Sequence, residues 1–160
     1  MNFEAKGIIT AMVTPLTADY KIHEKGLRKL VNYMIDGGVH GLFVVGTSGE
    51  FYGFSPEQRR DAFQICIDEA KGRVPVYAGV NGITTAEAIG YAQMAEEAGA
   101  DAISVLTPMF ISVTQAELYQ HYADIAASTK LPMLLYNNVG KTNVNIGVDT
   151  AVKLSKIKNI

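Results

Sequence analysis

Apolar runs without polar alternation recur along the chain at intervals of roughly 30 residues, the repeat expected of strand–helix–strand units. Such runs are typical of strands that are covered on both faces of a parallel sheet. They predict five strands, at residues 7–14, 40–45, 74–78, 101–106 and 131–136. The pattern therefore indicates an α/β protein in which strands and helices alternate.

Helical spacing of apolar residues fills the segments between these strands. Three helix starts have the capping-box pattern of a hydroxyl followed three residues later by Glu or Gln, and they are Ser55 with Gln58, Thr84 with Glu87 and Thr114 with Glu117. The first of these helices is predicted to reach about Lys71 and the second to end at Gly99. Further helices are predicted at 24–36 and at about 148–157, and residues 159–160 as the entry to a sixth strand.

Two architectures share this alternation of strands and helices. A doubly wound sheet can be complete with five strands, whereas a (β/α)8 TIM barrel needs eight strands and about 250 residues. No glycine-rich phosphate motif follows the first strand, which weakens the nucleotide-binding version of the doubly wound sheet. We therefore favour a single barrel domain over residues 1–160, with about the first five βα units. The smaller sheet stays open as the alternative.

Composition adds few constraints on function. The chain has 160 residues, 48% of them hydrophobic, and a formal net charge of −2, which gives no electrostatic argument for binding nucleic acid or a membrane. The single cysteine, Cys66, fits a reducing cytoplasm and is predicted to be a buried core thiol. His23, His40 and His121 are scattered without ligand spacing, so no metal site is expected.

The first candidate site is the hydroxyl loop, which we define as residues 46–50. Gly46 and Gly49 bracket Thr47 and Ser48 directly after the second strand. Glycine lets the backbone turn sharply, and parallel sheets place ligands at the carboxyl ends of their strands. From the residues alone, a site for a carboxylate or small oxyanion and a plain strand-to-helix turn are equally good interpretations.

Two further reactive groups follow the fifth strand. The Tyr136 hydroxyl could donate or accept a proton, or its ring could simply lie in the core with the hydroxyl in water. Lys141 could pair with an anionic substrate or be solvated. Glu50 is expected to order the hydroxyl loop through backbone amides, and Asn137 and Asn138 to be ordinary turn residues.

Several segments resemble one known family. Residues 46–50 resemble the G-[TS]-[TS]-G-E loop of the dihydrodipicolinate synthase and N-acetylneuraminate lyase family, and residues 136–142 resemble its Y-N-x-P-x-R-T segment. Residues 7–15, 75–79 and 98–108 also fit in the right order. Each motif alone is modest, but the five together are specific.

The resemblance implies a (β/α)8 barrel that forms a homo-oligomer, usually a tetramer. Members of the family form a Schiff base between pyruvate and a lysine on the sixth strand, and use no other cofactor. They then make or break a carbon–carbon bond with an aldehyde, or dehydrate a sugar acid. The lysine is expected just beyond Ile160, so the 160-residue piece alone is expected to be inactive.

The resemblance also implies roles for individual residues. Thr47 and Ser48, in the loop that begins at Gly46, would hold the pyruvate carboxylate and relay a proton. Tyr136 would carry protons during imine formation and aldol chemistry. Lys141 stands where the family often has a carboxylate-binding arginine, and would act as a point charge without the arginine fork.

The sequence departs from the family pattern at two places. Synthases of the family carry a tyrosine pair after the fourth strand, of which the second reaches into a neighbouring subunit's site; here the residues are Met109 and Phe110. Because phenylalanine cannot pass a proton, the main expectation is an aldolase for a sugar acid or another 2-oxo acid. The true synthase, or a non-catalytic half-barrel that binds a small carboxylate, is the alternative. Val139 replaces the usual proline.

Overall fold

A computed structural model describes residues 4–160. It contains one sheet of five parallel strands in the order β1-β2-β3-β4-β5. Their bounds are β1 (Ile9–Ala11), β2 (Gly41–Val44), β3 (Val76–Gly79), β4 (Ala102–Leu106) and β5 (Met133–Tyr136). All five predicted strands are therefore present.

Helices connect the strands and pack side by side in chain order. Their bounds are α1 (Glu24–Asp36), α2 (Pro56–Ala70), α3 (Thr85–Ala98), α4 (Gln115–Ala127), α5 (Val139–Thr142) and α6 (Val148–Leu154). The three predicted capping boxes are confirmed at the starts of α2, α3 and α4, because each hydroxyl accepts the expected backbone N–H and each N3 side chain bonds back.

The strand order decides between the two architectures. A doubly wound sheet reverses its strand order at a switch point, whereas here each strand pairs with the next one in sequence. Sequential parallel strands with a single layer of successive helices are the first five βα units of a (β/α)8 barrel. The barrel prediction is confirmed.

The last residues of the chain continue the same hydrogen-bond ladder. In the ladders between neighbouring strands, the Leu42 N–H donates to the Pro75 carbonyl at 3.0 Å, and the Ile103 N–H donates to the Pro132 carbonyl at 2.9 Å. The Met133 N–H donates to the Asn159 carbonyl at 2.7 Å. Asn159 therefore occupies the position that precedes the next parallel strand, as the sequence predicted.

Some boundaries differ from the predicted ones. β1 has three residues instead of the predicted 7–14, and it pairs only with β2 among the described residues. Ile8 and Val13, near its two ends, are 64% and 55% exposed. The short helix α5 and a 3₁₀ turn at Phe51–Gly53 were not predicted, since segments of three or four residues are too short to show a helical period. The last helix ends at Leu154 instead of 157.

The core lies between the sheet and the helices. Its largest fully buried side chains include Phe63 from α2 and Tyr122 from α4. Cys66 is also buried, and burial raises the pKa of its thiol to about 12. A thiol that stays protonated in the core is a poor nucleophile, which confirms the structural interpretation of this cysteine.

Candidate active site at the carboxyl ends of the strands

The hydroxyl loop leaves β2 through a strained backbone. Val45 has a φ of 55° and Glu50, at the other end of the loop, has a φ of 59°. A β-branched residue such as valine rarely adopts this left-handed conformation, and such strain persists only where the surroundings hold it in place. Backbone bonds inside the loop join Glu50 N to Thr47 O at 3.2 Å and Phe51 N to Gly46 O at 3.4 Å.

Close approach of the loop to β3 depends on a glycine. A Cβ atom on Gly79 would lie 2.3 Å from the Val45 carbonyl oxygen, which is inside any van der Waals contact. On the other side of the loop, the Thr14 hydroxyl donates to the Gly49 carbonyl at 2.9 Å. The loop is therefore held between the ends of β1 and β3.

Thr47 and Tyr136 meet at this rim, although 89 residues separate them in sequence. Their hydroxyl oxygens are 3.5 Å apart, and the Asn138 side-chain amide donates to the Tyr136 hydroxyl at 3.0 Å. The Tyr136 ring packs edge-on against Phe43, with ring centroids 6.1 Å apart. Because Asn138 supplies a donor, the Tyr136 proton is free to point towards Thr47 or a bound substrate.

The other predicted binding residues lie on the loops around this pair. Gly46 is buried and Ser48 is exposed. Lys141 is exposed on α5 and forms no ion pair within residues 4–160. Its loop is anchored to the end of β4 by the buried hydroxyls of Thr107 and Thr142, which are 2.7 Å apart.

Met109 and Phe110 behave differently from each other. Met109 is half-buried and packs against the core, whereas Phe110 is 94% exposed. Phe110 also has a left-handed backbone, with a φ of 79°. That Phe110 lies at a subunit contact on the edge of the site stays a prediction.

Two expectations about loop residues were wrong. The Glu50 carboxylate is exposed and makes no hydrogen bond with any residue in 4–160. Glu50 shapes the loop through its own left-handed backbone and its N–H instead. Asn138 is more than a turn residue, because its amide contacts the Tyr136 hydroxyl.

Sequence reasoning also missed Arg59, in the first turns of α2. Its side chain is only 6% exposed, and its guanidinium donates to the carbonyls of Asn81 (2.7 Å) and Phe51 (2.8 Å). It stacks over the Tyr91 ring, with its Cζ atom 4.1 Å from the centroid. Desolvation by burial lowers the pKa of Arg59. An arginine in a charged helix start gives no sequence signal that it will turn inward.

Two further features bear on the kind of site. Across residues 4–160, no three His, Cys, Asp or Glu side chains are grouped so that they could hold a metal ion. In the same part of the chain, no helix has the length and apolar character needed to cross a bilayer.

Polar side chains at the carboxyl ends of sequential parallel strands define the class of (β/α)8 barrel proteins with a site at the strand-end rim. The model of the dihydrodipicolinate synthetase family matches residues 4–160. The chain belongs to this family.

Curated relatives agree over the same length. The chain is 43% identical over 150 residues to a 4-hydroxy-tetrahydrodipicolinate synthase of Oleidesulfovibrio alaskensis, covering 94% of this chain and 51% of the relative. It is 39% identical over 155 residues to the protein of the same name from Methanothermobacter thermautotrophicus, covering 97% of this chain and 55% of the relative. The chain therefore spans about half the length of the curated relatives it matches.

Solved structures show the same fold. A chloride-inhibited dihydrodipicolinate synthase from Acinetobacter baumannii, crystallised with pyruvate, superimposes with a TM-score of 0.94 at 41% identity. That match covers 96% of this chain and 53% of the other. A prophage protein of the same family from Escherichia coli, also in complex with pyruvate, gives a TM-score of 0.91 at 35% identity, with 94% and 50% coverage.

Proposed function

We propose that the complete protein is a 4-hydroxy-tetrahydrodipicolinate synthase, which condenses pyruvate with an aldehyde through a lysine imine. The observation that carries the proposal is the contact between the Thr47 and Tyr136 hydroxyls at the carboxyl ends of the strands. The names of the curated relatives support the synthase over the sugar-acid aldolase that Met109 and Phe110 had favoured.

The imine-forming lysine is proposed to lie on the strand after Ile160. In the β4–β5 ladder Ile103 pairs with Met133 and Leu106 with Tyr136. The Met133–Asn159 bond sets the same register for the next strand. Tyr136 lies three residues after Met133, so its neighbour would lie three residues after Ile160, and a lysine at or beside that position would face the hydroxyl pair.

The hydroxyl loop is proposed to bind the pyruvate carboxylate. Ser48 and Thr47 offer hydroxyl donors, and the loop backbone that begins at Gly46 offers amide donors. Hydrogen bonds to a charged acceptor are stronger than those to a neutral one. Lys141 is proposed to attract the anionic end of the second substrate as a point charge.

Tyr136 is proposed to transfer the protons of the reaction. The lysine amine adds to the pyruvate carbonyl carbon, and the resulting hydroxyl leaves as water when Tyr136 donates a proton to it. The imine is an electron sink, so a proton can leave the pyruvate methyl group. Tyr136 takes up that proton, with Thr47 as its neighbour in the relay, and the enamine attacks the aldehyde carbon. No cofactor is needed beyond the lysine imine.

A second candidate is an aldolase that acts on a sugar acid or another 2-oxo acid. The observation that favours it is Phe110, an exposed side chain with no hydroxyl where the resemblance places a tyrosine. A homo-oligomer, either dimer or tetramer, with Phe110 at the subunit contact is part of both proposals, as is the cytoplasmic location suggested by the single cysteine.

Comparison of kcat/KM values for different aldehyde substrates distinguishes the two candidates. The complete protein is incubated with pyruvate and either the aldehyde used by an established 4-hydroxy-tetrahydrodipicolinate synthase or a panel of sugar-derived aldehydes. We expect the highest kcat/KM with the synthase aldehyde. A higher kcat/KM with a sugar-derived aldehyde would assign the protein to the second candidate, and no turnover with any of them would favour a non-catalytic barrel.

A further inference from the structure

We propose that Arg59 is a positioning residue that clamps the end of the hydroxyl loop to the segment after β3, and through Asn81 to the end of β4, and so keeps Thr47 within reach of Tyr136. The expected fall in kcat when Arg59 is replaced rests on the proposed function, whereas the expected change in the Thr47–Tyr136 distance does not. Arg59 touches neither hydroxyl, so its action on the site is indirect.

The Arg59 guanidinium joins the segments that follow two neighbouring strands. One nitrogen donates at 2.8 Å to the carbonyl of Phe51, the residue directly after the hydroxyl loop. Another donates at 2.7 Å to the carbonyl of Asn81, two residues after β3 ends. The planar fork of arginine can hold two acceptors at a fixed separation, so the two segments are tied at a fixed distance.

Asn81 extends this connection to β4 and β5. Its side-chain oxygen accepts the Leu106 N–H at 3.0 Å, at the end of β4. Leu106 pairs with Tyr136 in the ladder, and the Thr107 N–H donates to the Tyr136 carbonyl at 3.2 Å. A path therefore runs from Phe51 through Arg59 and Asn81 to Leu106 by hydrogen bonds, and from its neighbour Thr107 to the backbone of Tyr136 by one more.

Charge pairing does not explain why an arginine is buried here. Arg59 forms no ion pair within residues 4–160, and its Nε atom is buried without a partner. Carbonyl oxygens and the rings of Phe51 and Tyr91 surround it instead. Burial lowers the pKa of Arg59, and the nearby Tyr91 and Glu87 only partly oppose that shift. Because a buried cation without a close ion-pair partner costs free energy that an apolar side chain would not, its fork geometry is the better reason for its presence.

Strain in the hydroxyl loop makes such a clamp necessary. Val45 is held in the left-handed region just before the loop, and the loop passes over Gly79 with no room for a side chain. A strained segment relaxes when one of its anchors is removed. Arg59 is the anchor at the downstream end, through Phe51, whose N–H bonds back to Gly46. Loss of the clamp is therefore expected to let Thr47 move away from Tyr136.

Variants of the complete protein test this role kinetically. Arg59→Met removes both hydrogen bonds, and Arg59→Lys keeps the charge but cannot hold both carbonyls. Since a displacement of about 1 Å in a reacting group costs up to about a hundredfold in rate, we expect kcat to fall about tenfold or more in Arg59→Met, and less in Arg59→Lys. Measurements are made where each variant is fully folded by circular dichroism.

Arg73→Met is the matched control. Arg73 also donates to two backbone carbonyls, of Glu69 and Ala70, and to the Asn32 side chain, but it lies before β3 at the opposite end of the sheet. We expect Arg73→Met to lower stability without changing kcat. A kcat for Arg59→Met within twofold of the parent, or an equal fall in Arg73→Met, would overturn the proposal. If Arg59→Met does not fold, the same criteria apply to Arg59→Lys.

Crystal structures of the parent protein and of Arg59→Met test this proposal separately from the proposed function. We expect the Thr47–Tyr136 hydroxyl distance, 3.5 Å in the parent, to increase by about 1 Å or more. An unchanged distance would refute the clamp even if the enzyme is active. An increased distance would support it even if the parent protein turns over none of the aldehydes, a result that would reject only the proposed function.

Discussion

At the scale of single residues, the Tyr136 side chain is held by contacts at both its ring and its hydroxyl. Phe43 packs edge-on against its ring, and its hydroxyl contacts both Asn138 and Thr47. Ring packing and the amide contact together fix where the hydroxyl points. This arrangement suits a group that must present a proton at one place.

Removal of that hydroxyl is expected to affect turnover more than folding. Tyr136→Phe keeps the ring and loses only the oxygen, so kcat of the complete protein should fall about a hundredfold or more, as for loss of a general acid–base group. Steady-state kinetics measure the effect. Tyr33→Phe is the control, because Tyr33 is 72% exposed on α1 and should not affect kcat. An unchanged kcat in Tyr136→Phe would remove Tyr136 from the mechanism.

The burial of His121 leads us to expect that the stability of the protein depends on pH. It is buried between α3 and α4, its Nδ1 lies 2.9 Å from the Thr85 hydroxyl, and its Nε2 has no partner among the described residues. Burial lowers the pKa of His121, although Asp124 opposes the shift. Protonation then favours the unfolded state, so stability should be fully present above about pH 6.5 and decline below it.

Thermal unfolding at about pH 7.5 and about pH 5 checks this expectation. His121→Gln should lose less stability than the parent between the two values. Thr85→Val removes the hydrogen bond but keeps the titrating ring, so its loss with pH should resemble that of the parent. An equal decline in His121→Gln and the parent would show that other groups cause the pH dependence.

The local pattern made Thr47 and Tyr136 candidates, because each stands at the end of a predicted strand, and the family resemblance supplied their expected roles. The sequence could not identify Arg59, whose partners Phe51 and Asn81 become neighbours only through the packing of β2 and β3. Asn138 was missed for a related reason, since turn chemistry alone explains an asparagine after a strand. Residues that position others are defined by tertiary contacts.

At the scale of elements, the site depends on how closely β2 and β3 approach at their carboxyl ends. The Val45 carbonyl occupies the space where a side chain on Gly79 would be. The geometry of the rim therefore depends on the absence of a Cβ atom at Gly79.

Gly79→Ala should displace the hydroxyl loop, because its new Cβ would meet backbone atoms that cannot rotate away. We expect a loss of about 1–3 kcal/mol in the free energy of unfolding and a marked loss of turnover. Gly90→Ala is the matched control, since Gly90 lies in α3 with open space around it, and it should stabilise by about 0.5–1 kcal/mol. Denaturant unfolding of both variants provides the comparison, and an unperturbed Gly79→Ala protein would contradict the geometry.

Elements were easier to predict than their ends. Capping boxes fixed the starts of α2, α3 and α4, because they depend only on residues three positions apart. The length of β1 could not be predicted, since its apolar run is longer than the part that pairs with β2. The short helix α5 arises from loop packing, including the Thr107–Thr142 contact.

At the scale of the whole molecule, five sequential strands leave an open sheet. At one edge, Ile8 and Val13 beside β1 are exposed. At the other edge, Met133 of β5 donates its N–H to the Asn159 carbonyl. The alternation of strand and helix patterns in the sequence predicted the strands. Both candidate architectures share that alternation, and only the order of the strands in the sheet distinguishes them. In a closed barrel, strand six would stand beside Tyr136, which makes the position of a lysine there the central claim.

Reductive trapping tests that claim most directly. The complete protein is treated with pyruvate and sodium borohydride, digested, and analysed by mass spectrometry, with the 160-residue chain alone treated in parallel. We predict a single pyruvate adduct on a lysine in the strand that directly follows Ile160, and none on the 160-residue chain. Absence of any adduct, or an adduct on Lys141 or another lysine within residues 4–160, would contradict the account.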